Sequence, residues 1–408
     1  MKKDKLTRRD FLKVASVTSA GLVLSACGVD VTKLPDPTAT AIPSLTPFPT
    51  ITNTPVPTVT PTPALPTLRD VGDKLNLLIG TSVDGAEEYK TPAYQKAATH
   101  FSLLVPSGSF LQKSLDDWGT GMAKTFRTAA NKNHQAFFIM HAFWHQDVQE
   151  SLKSASNDEI LFYMKERIKF VLGFVEKVDS GNMPTYINLI NEPIWYWQGN
   201  SGWEQSPYYK VLGQKLLSEI YLMFVEIAEK ANVKLGQDFY LVYNDYDIYR
   251  KGGKRDFAFD ILSKAKSDIA KSLGIADSQV PLEIGLQYRF NPTLDTKTHL
   301  YDDLGFFPIP TDDETYDNLQ KFSEITNIHI TEFEMRGNGS ETQKQRIEIY
   351  NRLSMVAKNF KAVKSIAYFG TFRNQPNSPQ NFSYNGLFDK NYQPTADYYS
   401  LLDNISKQ

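Results

Sequence analysis

The chain has 408 residues, enough for one large domain or two ordinary ones, and its 41% hydrophobic content suffices for a sizeable core. A formal net charge of −2 excludes the dense basic face of a nucleic-acid binder. Cys27 is the only cysteine, so no internal disulfide is available to staple the fold.

Residues 1–27 read as processing sequence. Lys2, Lys3 and Lys5 lead into Thr7-Arg8-Arg9-Asp10-Phe11-Leu12-Lys13, which resembles a twin-arginine export signal. The next run ends at Leu24-Ser25-Ala26-Cys27, resembling a bacterial lipobox whose cysteine is lipidated and becomes the new N-terminus. Its apolar part is about a dozen residues, short of the roughly 20 that span a bilayer. The expectation is therefore export, with lipid chains on Cys27 as the membrane anchor at the outer face of a bacterial cell, or secretion. From 28 to 67 the chain is dominated by proline, threonine and small apolar residues, as in Pro57-Thr58-Val59-Thr60-Pro61-Thr62-Pro63. Proline fixes φ and removes donors, so this stretch is expected to stay extended as a disordered linker. About 37 of these residues at ~3.1 Å each reach up to ~115 Å.

Residues 68–408 carry the folded region. A short apolar strand followed by a helical pattern recurs eight times. The strands expected are Asn76–Thr81, Phe101–Val105, Gln135–Phe143, Thr185–Asn191, Phe239–Asn244, Leu282–Gln287, Asn327–Thr331 and Ser365–Thr371. Most are continuous apolar runs, as parallel strands covered on both faces require. Helical periodicity is clearest over Glu159–Val178, Tyr209–Lys230 and Glu341–Phe360. A doubly wound open sheet is the competing architecture, but Thr81-Ser82-Val83-Asp84-Gly85 lacks the glycine-rich first turn it calls for. The alternation points to an α/β fold, a (β/α)8 TIM barrel.

Two strands end in carboxylates: Tyr186-Ile187-Asn188-Leu189-Ile190-Asn191-Glu192-Pro193 and Ile328-His329-Ile330-Thr331-Glu332-Phe333-Glu334. In a barrel, Glu192 ends strand four and Glu332 strand seven, both at the C-terminal face where barrel active sites lie. A pair of carboxyl groups ~5–5.5 Å apart is what retaining glycoside hydrolysis needs, one as acid/base and one as nucleophile. Glu192 is assigned the first role and Glu332 the second.

The folded region resembles glycoside hydrolase family 10, the endo-β-1,4-xylanase family. The resemblance rests on His141-Ala142-Phe143-Trp144-His145-Gln146, Leu189-Ile190-Asn191-Glu192, Tyr243-Asn244-Asp245-Tyr246, Ile284-Gly285-Leu286-Gln287, Ile330-Thr331-Glu332-Phe333-Glu334 and the segment Gly386 to Pro394. Six motifs in family order at strand ends are specific together, although each is weak alone. The resemblance implies that Asn191 binds the 2-hydroxyl of the sugar at the scissile bond. It also implies that Gln287 joins the polar shell and that His141, Trp144 and His145 contribute to the sugar-binding floor. Tyr243 and Asn244 lie where the family places cleft residues; an ordinary turn at Asn244-Asp245 is the competing reading. Trp195, Trp197 and Trp203 sit in the loop after Glu192, where they either stack on the leaving-group side or fill the loop's own small core.

Several positions depart from the family pattern. The second strand reads Pro106-Ser107-Gly108-Ser109-Phe110-Leu111, without the amide and cation that hold the non-reducing-side sugar. Arg289 stands where a histidine orients the nucleophile, and Glu334 where an Asp completes that chain. Residues i and i+2 of a strand share a face, which aims Gln287 and Arg289 alike. Arg289 is expected either to hold Glu332 ionised or to pair with Glu334. Strand three's motif is one residue short, so Met140 or His141 takes the usual first histidine's place. Strand eight reads Phe369-Gly370 in place of Trp-Gly.

The reading is a retaining endo-glycosidase on β-1,4-xylan or a related plant polysaccharide. The alternatives are a clan-related barrel acting on another β-glycan, and a non-catalytic surface carbohydrate-binding lipoprotein. No metal is expected, since His141 and His145 fall at a strand end without a completing cluster. His100, His134, His299 and His329 are read as structural or exposed. No cofactor motif occurs, and a monomer without a nucleic-acid partner is expected.

Overall fold

Alternation along the strands explains why these segments form a closed layer. On β2 (Leu103–Pro106), Leu103 and Val105 fill the barrel interior while Leu104 packs outward under the helices. On β3 (Ala136–Ile139), Ala136 and Phe138 point in, and Phe137 and Ile139 point out. Both sets are buried, which is why the runs read as continuously apolar. The other strands are β1 (Leu78–Val83), β4 (Thr185–Asn191), β5 (Phe239–Tyr246), β6 (Leu282–Gln287), β7 (Ile328–Met335) and β8 (Val363–Tyr368). Each pairs in parallel with the next, and β8 pairs with both β7 and β1, closing the ring. Helices connect successive strands, and Ala396–Ser406 follows β8. The expected (β/α)8 barrel is therefore present.

The computed structural model describes residues 65–83, 88–106, 110, 117–197, 200–291, 294, 307–335, 340–371 and 386–406. They lie within one compact unit, Pro63–Gln408. The signal, Cys27, most of the Pro/Thr linker, Ser107–Ser109 and His299 fall outside the described residues.

The bounds differ from expectation in ways the local chemistry explains. The helix expected from Glu159 runs Asn157–Leu172, because Ser156 and Glu159 form a capping box at its start. The helix expected over Tyr209–Lys230 is two, Pro207–Leu212 and Leu216–Ala231, parted at Gly213 with φ of 56°. β3 stops at Ile139, four residues earlier than expected, and Trp144 returns to bridge Asn191. β5 and β7 run on to Tyr246 and Met335. β8 ends at Tyr368, three residues before the expected Thr371.

The barrel interior is layered. Near the bottom, Glu283, His329 and Ser365 form a chain: His329 Nε2 lies 2.7 Å from Glu283 Oε2, and His329 Nδ1 2.8 Å from Ser365 Oγ. His329 is thus a satisfied core histidine. One layer higher, Asn244 faces Gly285 in register across β5 and β6. A Cβ at Gly285 would collide with Asn244 Oδ1 and lie 2.8 Å from Thr331 Cγ2. Only a residue without a side chain leaves room for Asn244 to reach across the barrel.

Two backbone irregularities shape the mouth of the barrel. The β4–β5 register slips between Asn188 and Ile190, and the β7–β8 register slips between Ile330 and Phe333. Both are bulges close to a carboxylate, where one extra residue re-aims the side chains beyond it. Gly285→Ala is expected to displace Asn244 and destabilise the barrel by about 1–3 kcal/mol. A drop in melting temperature with loss of order at Asn244 is the outcome to look for in thermal melts and a crystal structure.

Candidate active site

The bulge in β4 explains how two asparagines three residues apart share one face. In a regular strand, Asn188 and Asn191 would point oppositely. With the extra residue between them, Asn188 Nδ2 donates to Asn191 Oδ1 at 3.0 Å. That same oxygen accepts from Asn244 Nδ2 at 2.8 Å and Gln287 Nε2 at 3.1 Å. Three N–H groups saturate it, so the Asn191 amide nitrogen is the end left to face the cleft.

Glu192 follows with φ of 48°, an uncommon conformation for glutamate. Its backbone N–H donates to Asn244 O at 2.9 Å, which secures the turn. The left-handed step rotates the Glu192 side chain into the same opening as Asn191. There Trp144 Nε1 donates to Oε2 at 3.0 Å and Gln287 Nε2 to Oε1 at 2.9 Å. Each carboxylate oxygen therefore has a fixed donor.

The β7 bulge does the matching work. Thr331 Oγ1 donates to Asn244 Oδ1 at 2.6 Å, and Asn244 Nδ2 lies 3.4 Å from Glu332 Oε1. Consecutive residues of β7 thus engage opposite ends of one buried amide. The two glutamates, from β4 and β7, line one cleft of about 370 Å³ at the C-terminal mouth. His141, Trp144, Asn191, Gln287 and Arg289 line it with them. Asn244 is fully buried beneath it as a supporting residue of the strand, not a turn.

Not every expected residue reaches the cleft. His145 is partly buried and hydrogen-bonds the Glu192 backbone; burial pushes its imidazole below the usual range, against the pull of Glu204 and Glu192. It therefore backs the Glu192 turn and is not part of the sugar floor. Trp195 pairs with Gly202 in the hairpin Ile194–Trp197/Asn200–Trp203, and its indole lies across that glycine. Trp203 is buried, stacked on Tyr209 with ring centres 5.7 Å apart. These two tryptophans support the reading in which the loop fills its own core.

Other residues escaped sequence reasoning. Tyr246 and Phe307 stack at 5.8 Å and form one wall of the cleft. Tyr246 had a signal, because it lies two residues beyond Asn244 on the same strand. Phe307 had none, since it enters from a loop without periodicity. Beneath them Lys254 Nζ pairs with Asp245 Oδ1 at 2.7 Å, both side chains essentially inaccessible. Burial raises Asp245 to about 6 despite Lys254, and Tyr243 donates its hydroxyl to the second oxygen at 2.8 Å.

The electrostatics decide between the two expectations for Arg289. Arg289 Nε sits 3.2 Å from Glu334 Oε2, so Arg289 pairs with Glu334. Burial pushes Glu332 up to about 8, aided by the Glu192 and Glu334 carboxylates, while Arg289 and Asn244 pull the other way. Arg289 does not hold Glu332 in the ordinary carboxylate range. His141 is pulled down to about 3 by burial and by Arg167, so it stays neutral. Its Nδ1 lies 2.6 Å from Asn188 Nδ2 and must accept, which puts the ring proton on Nε2. Among the described residues no group of three His, Cys, Asp or Glu is placed to hold a metal ion.

The signs of these couplings give a direct test. Arg289→Gln removes a cation that lowers Glu332, so its ionisation should move to higher pH. Glu334→Gln removes a repelling anion and releases the guanidinium, so ionisation should move to lower pH. Carboxyl-carbon NMR titration of Glu332 reads both; equal shifts of one sign would contradict the arrangement.

Comparison with known proteins agrees with this geometry. Residues 67–404 match Glycosyl hydrolase family 10. "Endo-1,4-beta-xylanase B" of Thermotoga neapolitana is 22% identical over 356 residues, covering 82% of this chain and 90% of that protein. "Exoglucanase XynX" of Acetivibrio thermocellus is 23% identical over 353 residues, 80% of this chain but only 28% of that longer protein. Among solved structures, native xylanase 10B from Thermotoga maritima superposes with a TM-score of 0.66 at 21% identity, covering 84% of this chain and 98% of the other. With a barrel closed at β8 and two glutamates at the mouth, the chain belongs to glycosyl hydrolase family 10.

Proposed function

We propose that the protein is a retaining endo-glycoside hydrolase that cleaves β-1,4-xylan or a closely related plant polysaccharide. The observation that carries this reading is the placement of Glu192 and Glu332 in one cleft, each held by donors from neighbouring strands. Glu332 attacks the anomeric carbon while Glu192 protonates the departing glycosidic oxygen, giving a covalent glycosyl-enzyme and a free chain end. Glu192, now ionised, takes a proton from water as it attacks that carbon, and Glu332 leaves. The Asn191 amide nitrogen is the free donor beside both groups and is assigned to the neighbouring sugar hydroxyl. Trp144, Tyr246 and Phe307 supply the aromatic walls against which sugar rings stack.

Attack requires ionised Glu332, so its raised pKa has a kinetic consequence. The acid limb of kcat/KM reports ionisations of the free enzyme. It is expected above the ordinary carboxylate range but below about 8, because the reactive form carries a protonated Glu192 and so lacks one of the charges that raise Glu332.

A different β-glycan is the second reading. Its support is the sequence Ser107-Gly108-Ser109, where the resemblance calls for an amide and a cation, together with a relative described as an exoglucanase. A polysaccharide panel on residues 68–408 separates the two: xylan left intact beside another cleaved β-glycan favours this second substrate. Glu192→Ala and Glu332→Ala should each lower hydrolysis by at least about 10³-fold with the fold retained. NMR of the first-formed product should show retained anomeric configuration. Tight xylo-oligosaccharide binding by wild type without any turnover would instead indicate a non-catalytic binder.

The location is part of the proposal. Support comes from the twin-arginine-like and lipobox-like motifs and from the Pro/Thr run after them. The chain enters the barrel far from the cleft: Arg69, in the first described helix, bonds Asn133 O at 2.7 Å and His134 O at 3.0 Å, just before β3 starts. Mass spectrometry of the membrane fraction is expected to find Cys27 as a lipidated N-terminus, and an unmodified Cys27 in the mature chain would refute the anchor.

A further inference from the structure

Away from the mouth, helices Asp117–Lys132 and Asn157–Leu172 flank an open groove of about 480 Å³. Arg127 belongs to it, beneath β3's outer face, with its guanidinium carbon 5.3 Å from the centre of the Phe137 ring. The residue is only 4% exposed, yet Nε, Nη1 and Nη2 all lack a hydrogen-bond partner. Burial pulls the guanidinium down to about 10, with Glu176 opposing that through space, so the group is charged at neutral pH. Leaving such a charge without an acceptor is costly, since desolvation is offset only when the donors are met.

The rest of the groove has its own chemistry. Lys124 brings further positive charge, whereas Lys169 is already paired with Glu166 at 2.6 Å and Glu176 sets one anion on the lining. Thr128 and Asn131 offer a hydroxyl and an amide, and Phe170 and Phe174 form an apolar wall. A neighbouring groove shares Lys124 and Thr128 and adds Lys96 and Lys132, extending the basic surface. A planar guanidinium matches a carboxylate two-pronged, whereas hydroxyl, amide and phenyl groups match a sugar ring.

We propose that this groove is a second glycan-binding site, separate from the cleft, which takes a sugar acid with its carboxylate on Arg127. Phe170 and Phe174 pack against the ring's C–H face, and Lys124 neutralises the approach of the anion. Such a site holds an acidic polysaccharide on the side of the barrel while the mouth works on another stretch of chain. The choice of a sugar as occupant rests on the glycan-hydrolase reading, but the binding itself is measured without turnover.

The test titrates the full chain with glucuronate, xylose and inorganic phosphate by calorimetry. Glucuronate should bind and xylose should not. Arg127→Met should weaken glucuronate by at least about tenfold, the loss of one charge-assisted pair. Hydrolysis should be unchanged in that variant, and its melting temperature should hold or rise, since an unmet charge is replaced by an apolar chain. Should Arg127→Met not fold, Lys124→Gln at the rim must still weaken glucuronate. Equal glucuronate binding by Arg127→Met, or by Lys124→Gln, overturns the proposal. So does phosphate binding as tightly as glucuronate, or loss of binding in Arg289→Gln instead, which would place the sugar acid in the cleft. Glucuronate binding without any polysaccharide hydrolysis would leave this site standing and sink the enzymatic reading.

Discussion

One amide oxygen organises the mouth of this barrel. Asn191 Oδ1 accepts from Asn188, Asn244 and Gln287, side chains contributed by β4, β5 and β6. Asn244 carries the network onward to Thr331 and Glu332 on β7, and Gln287 carries it to Glu192. Buried polar groups at this density are tolerable only when nearly all are met, and a partly met network is worse than an apolar core. The arrangement therefore fixes each rotamer around both carboxylates. It also leaves the Asn191 amide nitrogen, a donor, facing the cleft beside the two carboxylates.

Holding two carboxylates in one cleft has an electrostatic cost. Glu192 has its two oxygens met by Trp144 and Gln287. Glu332 is raised to about 8 by burial and by the Glu192 and Glu334 carboxylates. Arg289 pulls Glu332 down but does not outweigh burial, and its guanidinium also pairs with Glu334 at 3.2 Å. An arginine–glutamate pair at this place acts through distance-dependent charge, unlike a neutral histidine that orients by hydrogen bonding. The nucleophile's ionisation is thereby tied to two neighbours whose charges oppose each other.

Backbone irregularity is what lets adjacent residues cooperate. Bulges in β4 and β7 sit close to the glutamates, and Glu192 itself adopts a left-handed φ. Such conformations cost on the order of 1–3 kcal/mol and persist where surrounding contacts over-determine them. Here those contacts are the Glu192 N–H bond to Asn244 O and the space at Gly285 that admits Asn244.

Much of this was legible in the chain itself. Strand–helix alternation determined the barrel, because strands covered on both faces must be apolar throughout. The strand ends Asn191-Glu192 and Thr331-Glu332 determined which carboxylates meet, since a barrel gathers the C-terminal ends of its strands at one face. The fate of His145, Trp195 and Trp203 was not legible, because a residue's neighbours across a loop or hairpin carry no periodic signature. Nor were the bulges, Phe307 in the cleft wall, or the choice Arg289 makes between two carboxylates. Each depends on registers and distances between segments far apart in sequence: Arg289 with Glu334, Asn244 with Gly285, Lys254 with Asp245. Local patterning thus decided the scaffold and the two acids, while their charge states and orientation were decided only by which buried groups the closed barrel brought within reach.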